Sequence, residues 1–172
     1  MKALLLDRDG VINEDYGYVH SVSNFVFKPG LFDLGVRARD MGFVIIVITN
    51  QAGIGRGYYT EKDFIDVNEW MIKQFALNDI DILQTYWCPH HPIHGVGGYK
   101  KDCQFRKPHP GMILKAAGDH GLNLSKSILI GDKLTDMQAG HSAGVKRLCL
   151  LGNDDASPVP HERILHLDHF KF

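Results

Sequence analysis

Near the start of the chain stands Ala3-Leu4-Leu5-Leu6-Asp7-Arg8-Asp9-Gly10-Val11, four apolar residues running without alternation into two acids and a glycine. A short apolar run of this kind suits a strand covered on both faces, as in a parallel sheet. Similar runs follow at Phe43-Val44-Ile45-Ile46-Val47-Ile48, at Ile82-Leu83 leading to Trp87, at Ile128-Leu129-Ile130 and at Leu148-Cys149-Leu150-Leu151. Most are bounded by Asp, Asn or Gly. Periodicity alone does not separate such runs from buried helix, so the segments between them carry the distinction.

Those segments have helical spacing. Leu31, Leu34, Ala38 and Met41 share one face, and Gly42 is placed as a stop. Phe64, Val67, Met71 and Phe75 share another, behind Thr60 as N-cap with Asp63 at the capping-box position. Met112 to His120 and Lys133 to Ala143 are two more helices. Alternating strands and helices predict a doubly wound α/β fold with a mainly parallel sheet, Rossmann-like, over one domain of residues 1–172. The Asp9–Thr49 interval holds only a loop, a helix and a strand, so no large cap domain fits there.

Composition agrees with a single globular domain. The chain has 172 residues, 44% hydrophobic and 23% charged, with a net charge of −1. The absence of a basic excess argues against nucleic acid as a partner. Three cysteines are too few and too odd in number for a disulfide framework, which points to a reducing, cytoplasmic setting. The N-terminal apolar run is too short for a signal peptide, and no run approaches a membrane span. A monomer acting on a small molecule is the expectation.

In an open α/β sheet, ligands bind beyond the carboxyl ends of the strands. The residues placed there are Asp7-Arg8-Asp9-Gly10-Val11, Thr49-Asn50-Gln51 and Gly131-Asp132-Lys133 with Asp136 a turn later. Arg106-Lys107-Pro108-His109-Pro110-Gly111 precedes a predicted helix. Asp7, Asp9 and Asp132 supply hard oxygens suited to Mg²⁺. A carboxylate can also attack phosphorus to form an aspartyl-phosphate. Thr49 and Lys107 are the donor types that stabilise charge on a phosphoryl group in transfer. Asp-x-Asp-Gly alone is weak, since turns and calcium loops use it; the ordered set is much harder to explain as turns.

Asp7-x-Asp9-Gly10-Val11, Thr49, Lys107 and Gly131-Asp132-x-x-Thr135-Asp136 together resemble the four motifs of the haloacid dehalogenase superfamily of phosphohydrolases. The stretches Gly17-Tyr18-Val19-His20, Thr49 to Ile54, Cys88-Pro89-His90-His91-Pro92 and Arg106 to Gly111 are similar to its branch of heptose bisphosphate and histidinol-phosphate phosphatases. The resemblance implies Asp7 as nucleophile and Asp9 as the acid and base. It implies Mg²⁺ on the carboxylates of Asp7 and Asp132 and the main-chain carbonyl of Asp9, with Thr49 and Lys107 on the phosphoryl oxygens. It further implies substrate contacts from Asp15, Tyr16, Gly17, Tyr18, Asn50, Gln51, Ala52, Arg106 and, more weakly, Lys133. Asp136 orients its neighbours. The implied activity is removal of the 7-phosphate of D-glycero-D-manno-heptose 1,7-bisphosphate for lipopolysaccharide or other surface-glycan heptose. Histidinol phosphate is the rival substrate, and a non-catalytic phospho-ligand module is the rival of another class.

The stretch 88–107 resembles the zinc loop of that branch, with Cys88, His90 and Cys103 as ligands. Phe105 stands where the fourth ligand, a cysteine, belongs. Either His91 or His94 completes a Zn²⁺ site, or the loop is metal-free and its cysteines are plain buried thiols. Gly53-Ile54-Gly55-Arg56-Gly57 lacks nucleotide-loop spacing and reads as a tight turn near the substrate, with Arg56 an anion contact at most. Selectivity must then come from loops at Asp15–Tyr18, Gly53–Arg56 and Pro89–Arg106. His109 reads as structural, Cys149 as core, and His161, His166 and His169 as solvated. Gly152 to Pro160 reads as an exposed turn, including Asp154 and Asp155.

Overall fold

A computed structural model describes residues 1–153 and 158–172. Strands β1 (Lys2–Leu6), β2 (Phe43–Asn50), β3 (Ile82–Cys88), β4 (Ile128–Gly131), β5 (Arg147–Leu151) and β6 (Glu162–Ile164) form one sheet, in the order β3-β2-β1-β4-β5-β6. Each pairing between these strands is parallel. The order reverses between β1 and β4, and that switch point opens a crevice at their carboxyl ends.

Helices cover both faces. In β1, Leu4 and Leu6 join Ile45, Val47, Ile128 and Ile130 in one core, under α1 (Leu31–Asp40) and α3 (Glu61–Ala76). Ala3 and Leu5 join Ile46, Ile48 and Leu129 in the other, under α4 (Gly111–His120) and α5 (Leu134–Ala143). Side chains alternate faces along a strand, so burial on both faces leaves no polar position within the run. The lack of alternation in the sequence has this cause.

Local signals act as expected. Thr60 and Asp63 form a reciprocal capping box at the start of α3, whose buried face is Phe64, Val67, Met71 and Phe75. Gly42 follows α1 with φ +75°. Two details differ from expectation. Met41 lies beyond the last turn of α1 and is 52% exposed, because the helix ends before its side chain reaches the core. The C-terminal stretch supplies β6 and a 3-10 turn, Leu167–His169, that buries Leu167 and Phe170 in the first core. Arg37 ties it down by donating to the Phe170 carbonyl at 2.6 Å. Of the expected exposed turn, Asp154 and Asp155 lie outside the described residues.

The loop 89–107 is built against a short helix, α2 (Ala52–Gly55). Gly55 N donates to the Pro89 carbonyl at 3.1 Å, Val96 N to the Gly55 carbonyl at 2.7 Å, and His91 N to the Tyr99 carbonyl at 3.1 Å. Among the described residues, no helix is long and apolar enough to cross a membrane.

Candidate active site

The last residues of β1 and β4 are register partners, Leu6 beside Ile130, so Asp7 and Asp132 emerge side by side. Asp7 N continues the ladder by donating to the Ile130 carbonyl at 3.0 Å. Beyond Asp7 the chain turns sharply, with the amides of Val11, Ile12 and Asn13 donating to the Arg8 carbonyl. Gly10 takes φ +93° in this turn, and a Cβ there would stand 2.1 Å from Asp132 Oδ2. Only glycine allows this approach.

Lys107 reaches the same point from the far side of the sheet edge. Its Nζ lies 2.8 Å from Asp7 Oδ1 and 2.6 Å from Asp136 Oδ1, and donates to the Ile48 carbonyl at 2.9 Å. Asn50 clamps its backbone, accepting from Lys107 N at 3.0 Å and donating to its carbonyl at 3.1 Å. Burial opposes the charge on Lys107, but the carboxylates of Asp136 and Asp7 outweigh it and raise its proton affinity.

Asp7, Asp132 and Asp136 bring carboxylate oxygens within 4.8 Å of one another. Burial pushes the Asp7 carboxyl up against the pull of Lys107. Burial and the neighbouring Asp7 charge push Asp132 up to about 7. Asp132 Oδ1 is buried without a hydrogen-bond partner. Crowded, desolvated carboxylates with an orphaned oxygen are what a divalent cation relieves, and the all-oxygen donor set fits Mg²⁺.

Asp9 belongs to a separate network. Its Oδ1 accepts from Arg8 Nε at 3.2 Å, Arg8 Nη2 at 2.7 Å and Asn13 Nδ2 at 3.0 Å. Among the described residues, its Oδ2 accepts only from Gln51 Nε2, at 3.0 Å. The other contacts of Gln51 set its orientation: Tyr59 OH donates to its Oε1 at 2.5 Å, and its Nε2 also donates to Thr49 Oγ1 at 2.8 Å. Arg8 is fully buried between the rings of Phe25 and Phe64, 5.8 Å from each centroid.

Asp7, Asp9, Lys107 and Asp136 line a cavity of about 490 Å³, within the range of small-molecule sites. Of the expected contacts, Asp15, Gly17, Tyr18, Asn50, Ala52, Arg106 and Lys133 line it. Asp15 Oδ2 accepts from Lys133 Nζ at 3.1 Å, which fastens the Asp15–Tyr18 loop to the end of β4. Tyr16 instead stands 67% exposed, while Gln51 and Thr49 are buried beneath the floor. Arg56, Tyr59, His91, Thr135 and Asp136 also line the cavity. The supporting roles of Arg8, Asn13 and Tyr59 were missed at the level of sequence. Only the odd placing of an arginine between two aspartates hinted at the first.

Cys88, His90 and Cys103 do converge, with donor atoms within 4.8 Å of one another. Neither His91 nor His94 completes the set among the described residues: His91 Nδ1 is taken by the amides of Ile93 at 3.2 Å and His94 at 3.0 Å. Phe105 offers no ligand. A closed four-ligand structural zinc site is therefore not formed.

A parallel sheet with this acidic crevice, a buried lysine beside the first aspartate and small-molecule-sized space above defines a phosphatase of the haloacid dehalogenase type. Comparison agrees: the HAD-hydrolase-like family matches residues 104–163. The chain is 52% identical over 158 residues to D-glycero-alpha-D-manno-heptose-1,7-bisphosphate 7-phosphatase of Burkholderia mallei, covering 92% of this chain and 84% of that protein. It is 46% identical over 145 residues to D-glycero-beta-D-manno-heptose-1,7-bisphosphate 7-phosphatase of Haemophilus influenzae, covering 84% and 78%. The crystal structure of D,D-heptose 1,7-bisphosphate phosphatase from B. bronchiseptica, complexed with magnesium and phosphate, superposes with a TM-score of 0.85 at 27% identity, covering 97% of this chain and 94% of that one. The chain belongs to the heptose-1,7-bisphosphate 7-phosphatase family of HAD-like hydrolases.

Proposed function

We propose that the chain removes the 7-phosphate of D-glycero-D-manno-heptose 1,7-bisphosphate through an aspartyl-phosphate on Asp7. The observation that carries the reading is the Asp7 carboxylate at the switch point, 2.8 Å from Lys107 and grouped with Asp132 and Asp136. Mg²⁺ on Asp7, Asp132 and the Asp9 carbonyl would neutralise charge on the carboxylates and on the phosphoryl oxygens. Asp7 attacks phosphorus as the ester P–O bond breaks, and Asp9 gives its proton to the departing sugar alkoxide. Asp9 Oδ2 is the oxygen suited to that proton, since three donors already fill Oδ1. Asp9 then takes a proton from the water that attacks the aspartyl-phosphate, releasing phosphate and restoring Asp7.

Lys107 holds a phosphoryl oxygen while Asp136 and Asn50 fix its position. Thr49 supports the same oxygens from beneath, with its hydroxyl oriented by Gln51. Asp15, Gly17, Tyr18, Asn50, Ala52 and Lys133 contact the sugar phosphate from the cavity wall. The free thiols of Cys88, Cys103 and Cys149 suit a reducing compartment, and we assign the enzyme to the cytoplasm as a monomer. Zinc has no part in this reading.

Phosphate release with Mg²⁺ from both heptose bisphosphate anomers, histidinol phosphate and simple sugar phosphates tests it. A large kcat/KM preference for one heptose anomer is expected. A preference for histidinol phosphate overturns the substrate, and no release from any compound overturns the enzyme reading.

A further inference from the structure

The two oxygens of Asp9 are held by different routes, and both routes begin in the loop 15–20, whose Asp15, Gly17 and Tyr18 line the cavity. On one side, Arg8 Nη2 donates to the Val19 carbonyl at 2.5 Å and to Asp9 Oδ1 at 2.7 Å, and Arg8 Nε reaches the same oxygen at 3.2 Å. On the other, His20 Nδ1 donates to the Tyr18 carbonyl at 2.6 Å. The His20 ring stacks on Tyr59, 4.9 Å between centroids and 3° between planes, and Tyr59 orients the Gln51 amide that donates to Asp9 Oδ2. Tyr18 sits between these anchors at φ +56°, a conformation that a residue other than glycine seldom adopts unless it is held there. Arg8 is the costly member of the arrangement. Its side chain is wholly buried between Phe25 and Phe64, and its Nη1 makes no hydrogen bond among the described residues. An apolar chain of similar length fills such a slot at least as well as a buried ion pair does. Folding alone does not call for a guanidinium there.

We propose that Arg8 is a positioning residue that ties the aim of Asp9 to the substrate loop, so that the acid–base carboxylate is set for proton transfer when residues 15–19 are seated on the sugar. The inference rests on the phosphatase reading and deepens it. One guanidinium nitrogen serves both the Val19 carbonyl and Asp9 Oδ1, so a shift of the loop moves the donor that the carboxylate follows. Two nitrogens converge on Oδ1, and the planar fork gives that oxygen a fixed place. Oδ1 is thereby reserved for positioning, and proton exchange is left to Oδ2. Contacts made to the sugar, away from the reacting bond, are in this way used in the chemical step.

The test is a double-mutant cycle between Arg8→Met and Asp9→Asn, with Mg²⁺ present and folding checked by thermal melting. Methionine fills the slot between the rings and removes the donors. On heptose 1,7-bisphosphate, Arg8→Met should lower kcat by about 10–100-fold with little change in KM, as loss of charged hydrogen bonds does. In the Asp9→Asn background the same substitution should change kcat by no more than about twofold, because the carboxylate it acts through is gone. An arginine needed only for folding would cost the same factor in both backgrounds. Calorimetric titration with orthovanadate, a five-coordinate mimic of the transferring phosphoryl group, supplies a readout that needs no turnover. Arg8→Met should weaken vanadate binding by about tenfold and leave the affinity for inorganic phosphate unchanged. Arg8→Lys keeps the charge without the fork and should recover part of kcat; it takes the place of Arg8→Met in the cycle if the methionine variant does not fold. Equal losses in the two backgrounds, or a loss confined to KM, overturn the proposal. If the unmodified enzyme releases no phosphate from the bisphosphate, the phosphatase reading fails, and vanadate titration of the same four proteins still decides whether Arg8 acts through Asp9.

Discussion

Gln51 Nε2 donates to Asp9 Oδ2 at 3.0 Å, while Tyr59 OH donates to Gln51 Oε1 at 2.5 Å. The tyrosine fixes which way the amide faces, and the amide fixes the acid–base carboxylate. Replacing Gln51 with Met keeps the bulk and removes these bonds together with the one to Thr49 Oγ1. A charged hydrogen bond is worth about 1.5–3 kcal/mol, so kcat should fall by about 10–100-fold with little change in KM. Steady-state kinetics on the bisphosphate checks this; a change confined to KM would count against the positioning role.

Asp7→Asn removes the attacking oxygen. Phosphate release should drop by about 10³-fold or more, while Lys107 keeps Asp136 as partner and the fold remains. Phosphate release and a melting curve separate the two effects. Normal turnover by Asp7→Asn would end the aspartyl-phosphate mechanism.

Asp132 is pushed up to about 7 by burial and by Asp7, so near pH 6 it holds a proton that a cation must displace. Mg²⁺ affinity should rise as pH increases through about 7, with proton release on binding. Calorimetry at pH 6 and pH 8 in buffers of different ionisation enthalpy measures both. A chelator should abolish activity, and added Mg²⁺ should restore it.

Gly10→Ala places a methyl group where Asp132 Oδ2 lies and forces a side chain onto φ +93°. Strain of about 1–2 kcal/mol is expected, together with a displaced Asp132. The variant should melt a few degrees lower, and its Mg²⁺ requirement should increase. Unchanged metal dependence would mean that Asp132 does not bind the cation.

Phe75 is fully buried and packs edge-on to Phe27 and Phe32, at 6.2 Å and 5.4 Å between ring centroids. Phe75→Ala should destabilise by about 3–5 kcal/mol through the cavity it leaves. Denaturant unfolding reads this directly, and the kinetic constants of the folded fraction should stay near those of the parent.

The sequence and the structure meet where local chemistry governs. The apolar strands, the capping box at Thr60 and the acids at strand ends are properties of neighbouring residues, and each lies where expected. What the sequence did not show depends on distant parts. Arg8 is buried because Phe25 and Phe64 arrive from separate elements. Gln51 turns below the floor because Tyr59 and Asp9 claim its amide. Strand β6 is three residues long and presents exposed Glu162 and Arg163, so it carries no apolar pattern to read.

The two cores on opposite faces of the sheet also meter the position of the nucleophile. Ala3 and Leu5 belong to one core, Leu4 and Leu6 to the other. Sliding β1 by a single residue would exchange every side chain between faces and draw Asp7 into the apolar interior. Neither core tolerates that, so the attacking carboxylate is held to one position along the strand axis by residues that never touch the substrate.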